Sequence, residues 1–228
     1  MLGRGGVIST SVGVGFATGL YGISFGALSA AAGLSFWQTM ALSLLMFSGG
    51  SQFAIVGVLA SSGVAGAIPA VVSSWLLGIR NGFYALRLNS VLHISGVAKL
   101  LAAQLTIDES NAVSAAQESD RDRRLGFWLT GAAVFVFWNS CTALGALLGQ
   151  AVGDPRNWGL DAAAAAAFLG LIWPRLQSSG RARLVAALAA GLALAMTPLV
   201  PSGVPVVAAS VLAVLIGNYV LKRRTDHG

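Results

Sequence analysis

Phe47-Ser48-Gly49-Gly50-Ser51-Gln52-Phe53 decides how this chain folds, because it sets polar, helix-weakening residues in the middle of sequence that otherwise reads as membrane. Glycine costs a helix about 1 kcal/mol relative to alanine, and backbone freed inside hydrocarbon must find protein or water partners. An interruption at this place points to a small polar solute or ion held near mid-membrane, as in transporters built from discontinuous helices.

Outward from that stretch, no Asp, Glu, Lys or Arg occurs between Gly5 and Ile79, and charge-free runs recur at Leu125–Gly153 and Leu184–Leu221. A spanning helix needs about 20 apolar residues. Hydrophobic residues make up 56% of the chain and charged residues 10%, with a mean hydropathy of +0.77, far from the roughly 25% charged of a soluble domain. The expectation is an all-α, polytopic membrane bundle forming a single transmembrane domain over residues 1–228. About seven helices are expected, near 8–30, 38–60, 64–86, 126–150, 160–176, 182–199 and 203–221, the second interrupted. Ala27-Leu28-Ser29 resembles a small-residue cleavage site, but the apolar part is too long and glycine-punctuated for a signal peptide.

The net charge of +6 does not point to nucleic acid, because the basic residues cluster at span ends. Arg121, Arg123 and Arg124, then Arg175, Arg181 and Arg183, then Lys222, Arg223 and Arg224 follow the third, fifth and seventh spans. The positive-inside rule makes that side cytoplasmic, which puts the N-terminus outside, opposed only by Arg4, and the C-terminus in the cytoplasm of a cell (inner or plasma) membrane. A cytoplasmic polar loop is expected at about 88–125. Within it, Val91, Leu92, Ile94, Val97, Leu100 and Leu101 surround His93 and Lys99 as a short interfacial helix. Thr106 to Arg124 reads as charged and loop-like, ending in the solvated run from Glu118 to Arg124.

Small residues at Gly15, Gly19, Gly22, Gly26, Ser29 and Gly33 line one face of the first span, and Cys141, Gly145 and Gly149 line a face of the fourth. Such faces are packing seams. Cys141 is the one cysteine, so a disulfide framework is excluded. Thr197-Pro198 through Pro205 reads as a turn between two short spans.

Arg80 is the strongest single candidate for chemistry, since charge inside a membrane faces a cavity or a partner; snorkelling to the headgroups is its competing reading and the favoured one for Arg87. Asp161 and the Asp108-Glu109 pair, Asp108 first, are candidate proton carriers, with Asp161 otherwise a helix N-cap and the pair otherwise surface. Only His93 and His227 are present, and no phosphate-cradling loop occurs, so neither an enzyme nor a cofactor or metal is expected.

Gly22-Ile23-Ser24-Phe25-Gly26-Ala27-Leu28, Ala32-Gly33-Leu34-Ser35 and Met46 through Phe53, followed by Arg80 and Tyr84, Leu105-Thr106-Ile107-Asp108-Glu109, Leu160-Asp161 and Phe168 through Pro174, resemble the AzlC family over nearly the whole chain. The resemblance implies the large subunit of a branched-chain amino acid exporter for leucine, isoleucine, valine and often methionine. It also implies a small AzlD-type membrane subunit as partner and the proton-motive force as drive; whether the chain forms an oligomer is left open by the sequence. Family members commonly carry Asn-Leu-Arg-His before the tyrosine, where this chain reads Gly78-Ile79-Arg80-Asn81.

On that resemblance, backbone N–H groups freed at Gly49 and Gly50 suit a substrate carboxylate. Ser51 and Gln52 would orient it, Arg80 would bind it or balance its charge, and Ser48 and Tyr84 complete the candidate set. Phe25, Phe47, Phe53 and Trp138 would receive the aliphatic side chain. The competing reading is close packing at Gly49 and Gly50, with Gln52 bonding a neighbouring helix. Two other functions stay open, an uncoupled channel and a non-transporting assembly subunit.

Overall fold

The computed structural model describes residues 4–151, 169, 172–173, 175–200 and 204–225, with side chains to residue 216. Among these the protein is helical throughout: α1 (Arg4–Ala31), α2 (Phe36–Leu45), α3 (Gly49–Ser62), a 3-10 turn (Gly63–Gly66), α4 (Ala67–Leu92), α5 (Val97–Gln104), α6 (Asp108–Ala115), α7 (Asp120–Ala151), α8 (Gly180–Met196) and α9 (Val204–Thr225). Its interior is small and polar: Ser11, Ser29, Thr39, Ser43, Thr130 and Thr142 are fully buried, whereas Ile68, Trp75, Phe83 and Leu86 of α4 are exposed. Lipid offers helices no hydrophobic reason to associate, so close approach and interhelical hydrogen bonds hold them together. This is a membrane protein, with segments within Arg4–Ala31, Gly49–Leu92 and Asp120–Ala151 long and apolar enough to cross.

The most extensive pairing is α1 against α7. A Cβ added at Gly15 would meet Ala133, at Gly19 Phe137, at Gly22 Trp138 and Thr142, and at Gly26 and Gly145 the backbone of the opposite helix. Both numbers rise together, so α1 and α7 are parallel. The expected seam is present, and the Ser11–Thr130 hydroxyl bond of 2.9 Å reinforces it. Gly33 does not belong to it: at φ +84 it ends the turn after α1 with open space beside it, a left-handed position that favours glycine.

The interruption at Met46–Ser48 is present, but it is not a kink in a crossing helix. Ser43 reaches Thr142 at 3.4 Å and Phe47 packs on Phe135, so α2 runs antiparallel to α7. Ser51 donates to the Ser74 carbonyl while Gly50 faces Arg80, so α3 runs antiparallel to α4. Arg124 reaches the Val91 carbonyl and Phe127 packs with Leu88, so α4 is antiparallel to α7. It follows that α2 and α3 are antiparallel to each other and form a hairpin. The segment expected as a second crossing span, 38–60, therefore turns back to the side it entered from. Residues 4 and 120 lie at the same end of the parallel α1–α7 pair, an arrangement that four strictly alternating crossings would not give.

A second hairpin replaces the expected loop. Residues 91–92 close α4, Val97–Gln104 form α5 rather than one interfacial helix with them, and Asp108–Ala115 form α6. Gly126 faces Val113 and Gly131 faces Leu105, so α6 descends antiparallel to α7. Ser110 holds the start of α6, accepting from the Ile107 N–H and donating to the Leu105 carbonyl. Thr106, Ile107, Ser110 and Ser114 are buried, so one face of the stretch is interior; Ala112, Ala115 and Ala116 on its other face are exposed, as are Glu118 to Arg121 and Arg124. The two hairpins enter from opposite sides and meet tip to tip, where Gln104 donates to the Leu44 carbonyl at 2.7 Å. The turn expected after α8 begins at Thr197, and α9 packs on α8 and α4. The expected span at 160–176 lies largely outside the described residues, and Asp161 lies wholly outside them.

Candidate functional site

Between the hairpin tips, α1, α4 and α7 lies a cavity of about 310 Å³. Its apolar wall is Phe47, Phe53, Ile107, Val134 and Trp138, and its polar wall is Thr18, Tyr21, Ser48, Gly49, Gly50, Arg80, Asp108 and Glu109. The aromatic wall is braced from behind: Phe25, fully buried, packs on Phe53 at 5.7 Å and on Trp138 at 6.0 Å without lining the cavity.

Two helix N-termini open on this space with opposite character. The first turn of α3 carries Gly49 and Gly50, and its N-cap Ser48, in extended backbone, makes no side-chain cap. Unpaired N–H groups at a helix start carry partial positive charge suited to an anion. The first turn of α6 instead carries Asp108 and Glu109. Space at 49 and 50 is tight: a Cβ would lie 3.2 Å from the Trp138 ring at Gly49, and at Gly50 2.9 Å from Arg80 Nη2, the end of a side chain that would have to shift.

Arg80, midway along α4, pairs its Nη2 with Asp108 Oδ2 at 2.6 Å, both side chains about a quarter exposed. Tyr84 donates to Asp108 Oδ1 at 2.8 Å and stands outside the cavity. Of the two readings of Arg80, the cavity-facing one describes its position, while Arg87 is exposed. Asp108 and Glu109 are not surface residues; both line the cavity because α6 folds back into the protein. Glu109 makes no ion pair among the described residues. It lies outside the three spanning helices, and burial, followed by the Asp108 charge, pushes its carboxyl above the ordinary value against the opposing pull of its own backbone N–H, Arg80 and Thr18.

Ser51 and Gln52 are turned away from this cavity. Ser51 lines a second cavity, about 410 Å³, on the other side of Phe47 and Ser48. Gln52 is fully buried and its Nε2 donates to the carbonyls of Met46 at 2.8 Å, Leu42 at 3.3 Å and Ser43 at 3.4 Å. Only the amide NH2 can face three carbonyls. Gln52 thus closes the first hairpin by satisfying the open carbonyl end of α2, the neighbouring-helix reading of this residue. Thr18, Tyr21, Ile107 and Val134 join the wall without having been singled out for it, Ile107 alone falling in a family-like stretch, and Glu109 joins it beside Asp108, with which it was read as a candidate proton carrier.

The AzlC protein family matches residues 13–152, which covers most of α1, α2 through α7 with both hairpins, and every residue lining the first cavity. No curated protein matches this chain, and no solved structure does.

Proposed function

The chain belongs to the AzlC family, a transport-associated membrane family, and on that premise we propose that it carries a small aliphatic amino acid, of the leucine, isoleucine, valine and methionine class, out of the cell. The observation that carries this reading is the pairing, in one cavity of about 310 Å³, of an uncapped helix start with an aromatic and aliphatic wall. That volume is near the lower end of the roughly 300–1,000 Å³ of small-molecule sites. The substrate carboxylate takes the α3 N-terminus beside Arg80, and the side chain lies on Phe47, Phe53 and Trp138. One methylene is worth about 1–3 kcal/mol in such a wall, so the specificity is broad across aliphatic side chains.

Two hairpins of opposite entry around a shared site are the parts from which alternating access is made. Export draws on the proton-motive force, and a small AzlD-type subunit completes the exporter. Arg4 and the run Arg121, Arg123 and Arg124 share one side, which the positive-inside rule assigns to the cytoplasm; the N-terminus is then cytoplasmic in the cell membrane.

The test is efflux from proteoliposomes holding the chain, alone and with a co-expressed small membrane protein. The expected result is leucine movement against its gradient, driven by an imposed pH gradient and competed by isoleucine, valine and methionine. Flux that ignores the pH gradient would make the protein a channel, and no flux with either preparation would leave an assembly subunit.

A further inference from the structure

We propose that Glu109 receives the ammonium of the bound amino acid, so that a proton and the substrate ammonium occupy the same carboxylate in turn. The inference rests on the amino acid reading above and assigns the second half of the zwitterion. The cavity has two poles: the glycine-bearing start of α3 and the acid-bearing start of α6. At the acidic pole Asp108 is already matched by Arg80 and bonded by Tyr84. Glu109 is left as the acid without a cation partner among the described residues.

Independent observations point to a polar ligand here. Ser48 Oγ and Trp138 Nε1 are buried on the cavity wall with no hydrogen-bond partner, in residues 8% and 4% exposed. Buried polar atoms of this kind are rare unless something pairs with them. The titratable and charged groups facing Glu109 among the described residues are Asp108 on its own helix, Tyr21 on α1, and Arg80 and Tyr84 on α4; α3 and α7 present none to the cavity.

The exchange runs as follows. With the cavity empty, burial favours the protonated form of Glu109. When the amino acid enters, that proton leaves to water and the freed carboxylate pairs with the ammonium. When the amino acid departs, the carboxylate takes up a proton from the side then open. One carboxylate thereby makes proton and substrate mutually exclusive, which is the requirement for exchanging one against the other.

The test compares leucine with 4-methylpentanoate, which lacks only the amine, by binding to the purified full-length chain. Wild type should release a proton on binding leucine and none on binding 4-methylpentanoate. Its leucine affinity should weaken about tenfold per pH unit below the Glu109 pKa, a crossover above the usual carboxylate range of about 4. E109Q should lose roughly 10- to 100-fold in leucine affinity, the size of a hydrogen bond to a charged group, together with the pH slope and proton release, while keeping 4-methylpentanoate. E109D should retain the slope. Wild-type affinity and slope in E109Q would overturn the proposal, as would equal loss of both compounds, which marks a structural residue. If wild type binds neither compound, the amino acid reading itself fails and takes this inference with it.

Discussion

Arg80 Nη2 lies 2.6 Å from Asp108 Oδ2, tying the middle of a crossing helix to the tip of the second hairpin. The ion pair fixes α6 against α4 and leaves the guanidinium over Gly50 at the start of α3. Removing one partner leaves the other charge unmatched in a position where each side chain is only about a quarter exposed. Arg80→Gln and Asp108→Asn are each expected to lower thermal stability more than half as much as the double variant does. Their coupling should fall between the roughly 0–1 kcal/mol of exposed pairs and the roughly 3–5 kcal/mol lost on breaking a buried one. A double-mutant cycle by thermal unfolding in detergent measures it; additive losses would mean that the pair is not coupled.

Gln52 acts as a donor to three carbonyls, so its variants should rank by donor capacity rather than by size. Gln52→Ala is expected to lose about 1–3 kcal/mol, the usual consequence of unsatisfied buried polar groups. Gln52→Glu should be worse, since an ionised carboxylate would face the same carbonyls. Yield and melting temperature in detergent check the order, and a Gln52→Glu protein as stable as wild type would contradict the donor role.

At the α1–α7 seam the smallest possible addition should be felt. A Cβ at Gly26 or Gly145 would run into the opposing backbone, which has no flexible end to move aside. Gly145→Ala is expected to lose about 1–3 kcal/mol by overpacking, whereas Gly57→Ala, which meets open space, should be neutral or slightly stabilising. Paired melting curves decide between them.

These elements also mark how far the sequence alone reached. Four-residue spacing of small side chains is local information, and it located the α1–α7 seam correctly apart from Gly33. The interruption before Gly49 was equally legible, since glycine and serine clusters weaken a helix wherever they stand. Its direction was not legible, because a kink and a reversal share the same composition; only contacts such as Gln52 with Leu42 distinguish them. Thr106 to Arg124 failed for a related reason. Its polarity reads as solvent exposure, yet Ser110 and Ser114 are buried because they serve a helix that folds back between other helices. The place of Glu109 on the cavity wall emerged only through that fold.

Hairpin topology can be tested by labelling. In a Cys141→Ser background, cysteines at Ser35 and Val64 should react with an impermeant maleimide from one side of the membrane. Cysteines at His93 and Ser119 should react from the other. Ser35 and Val64 flank the first hairpin, so labelling from opposite sides would restore a crossing second span.

The central claim, a substrate carboxylate seated at the start of α3, is tested most directly at Ser48, whose hydroxyl is buried on the cavity wall without a partner. With Cys141 removed, the rate at which Ser48→Cys reacts with a small methanethiosulfonate is measured with and without leucine, beside Ser51→Cys, whose side chain faces the second cavity. The account predicts that leucine slows modification at position 48 and leaves position 51 unchanged. Equal rates at position 48 with and without saturating leucine would contradict it.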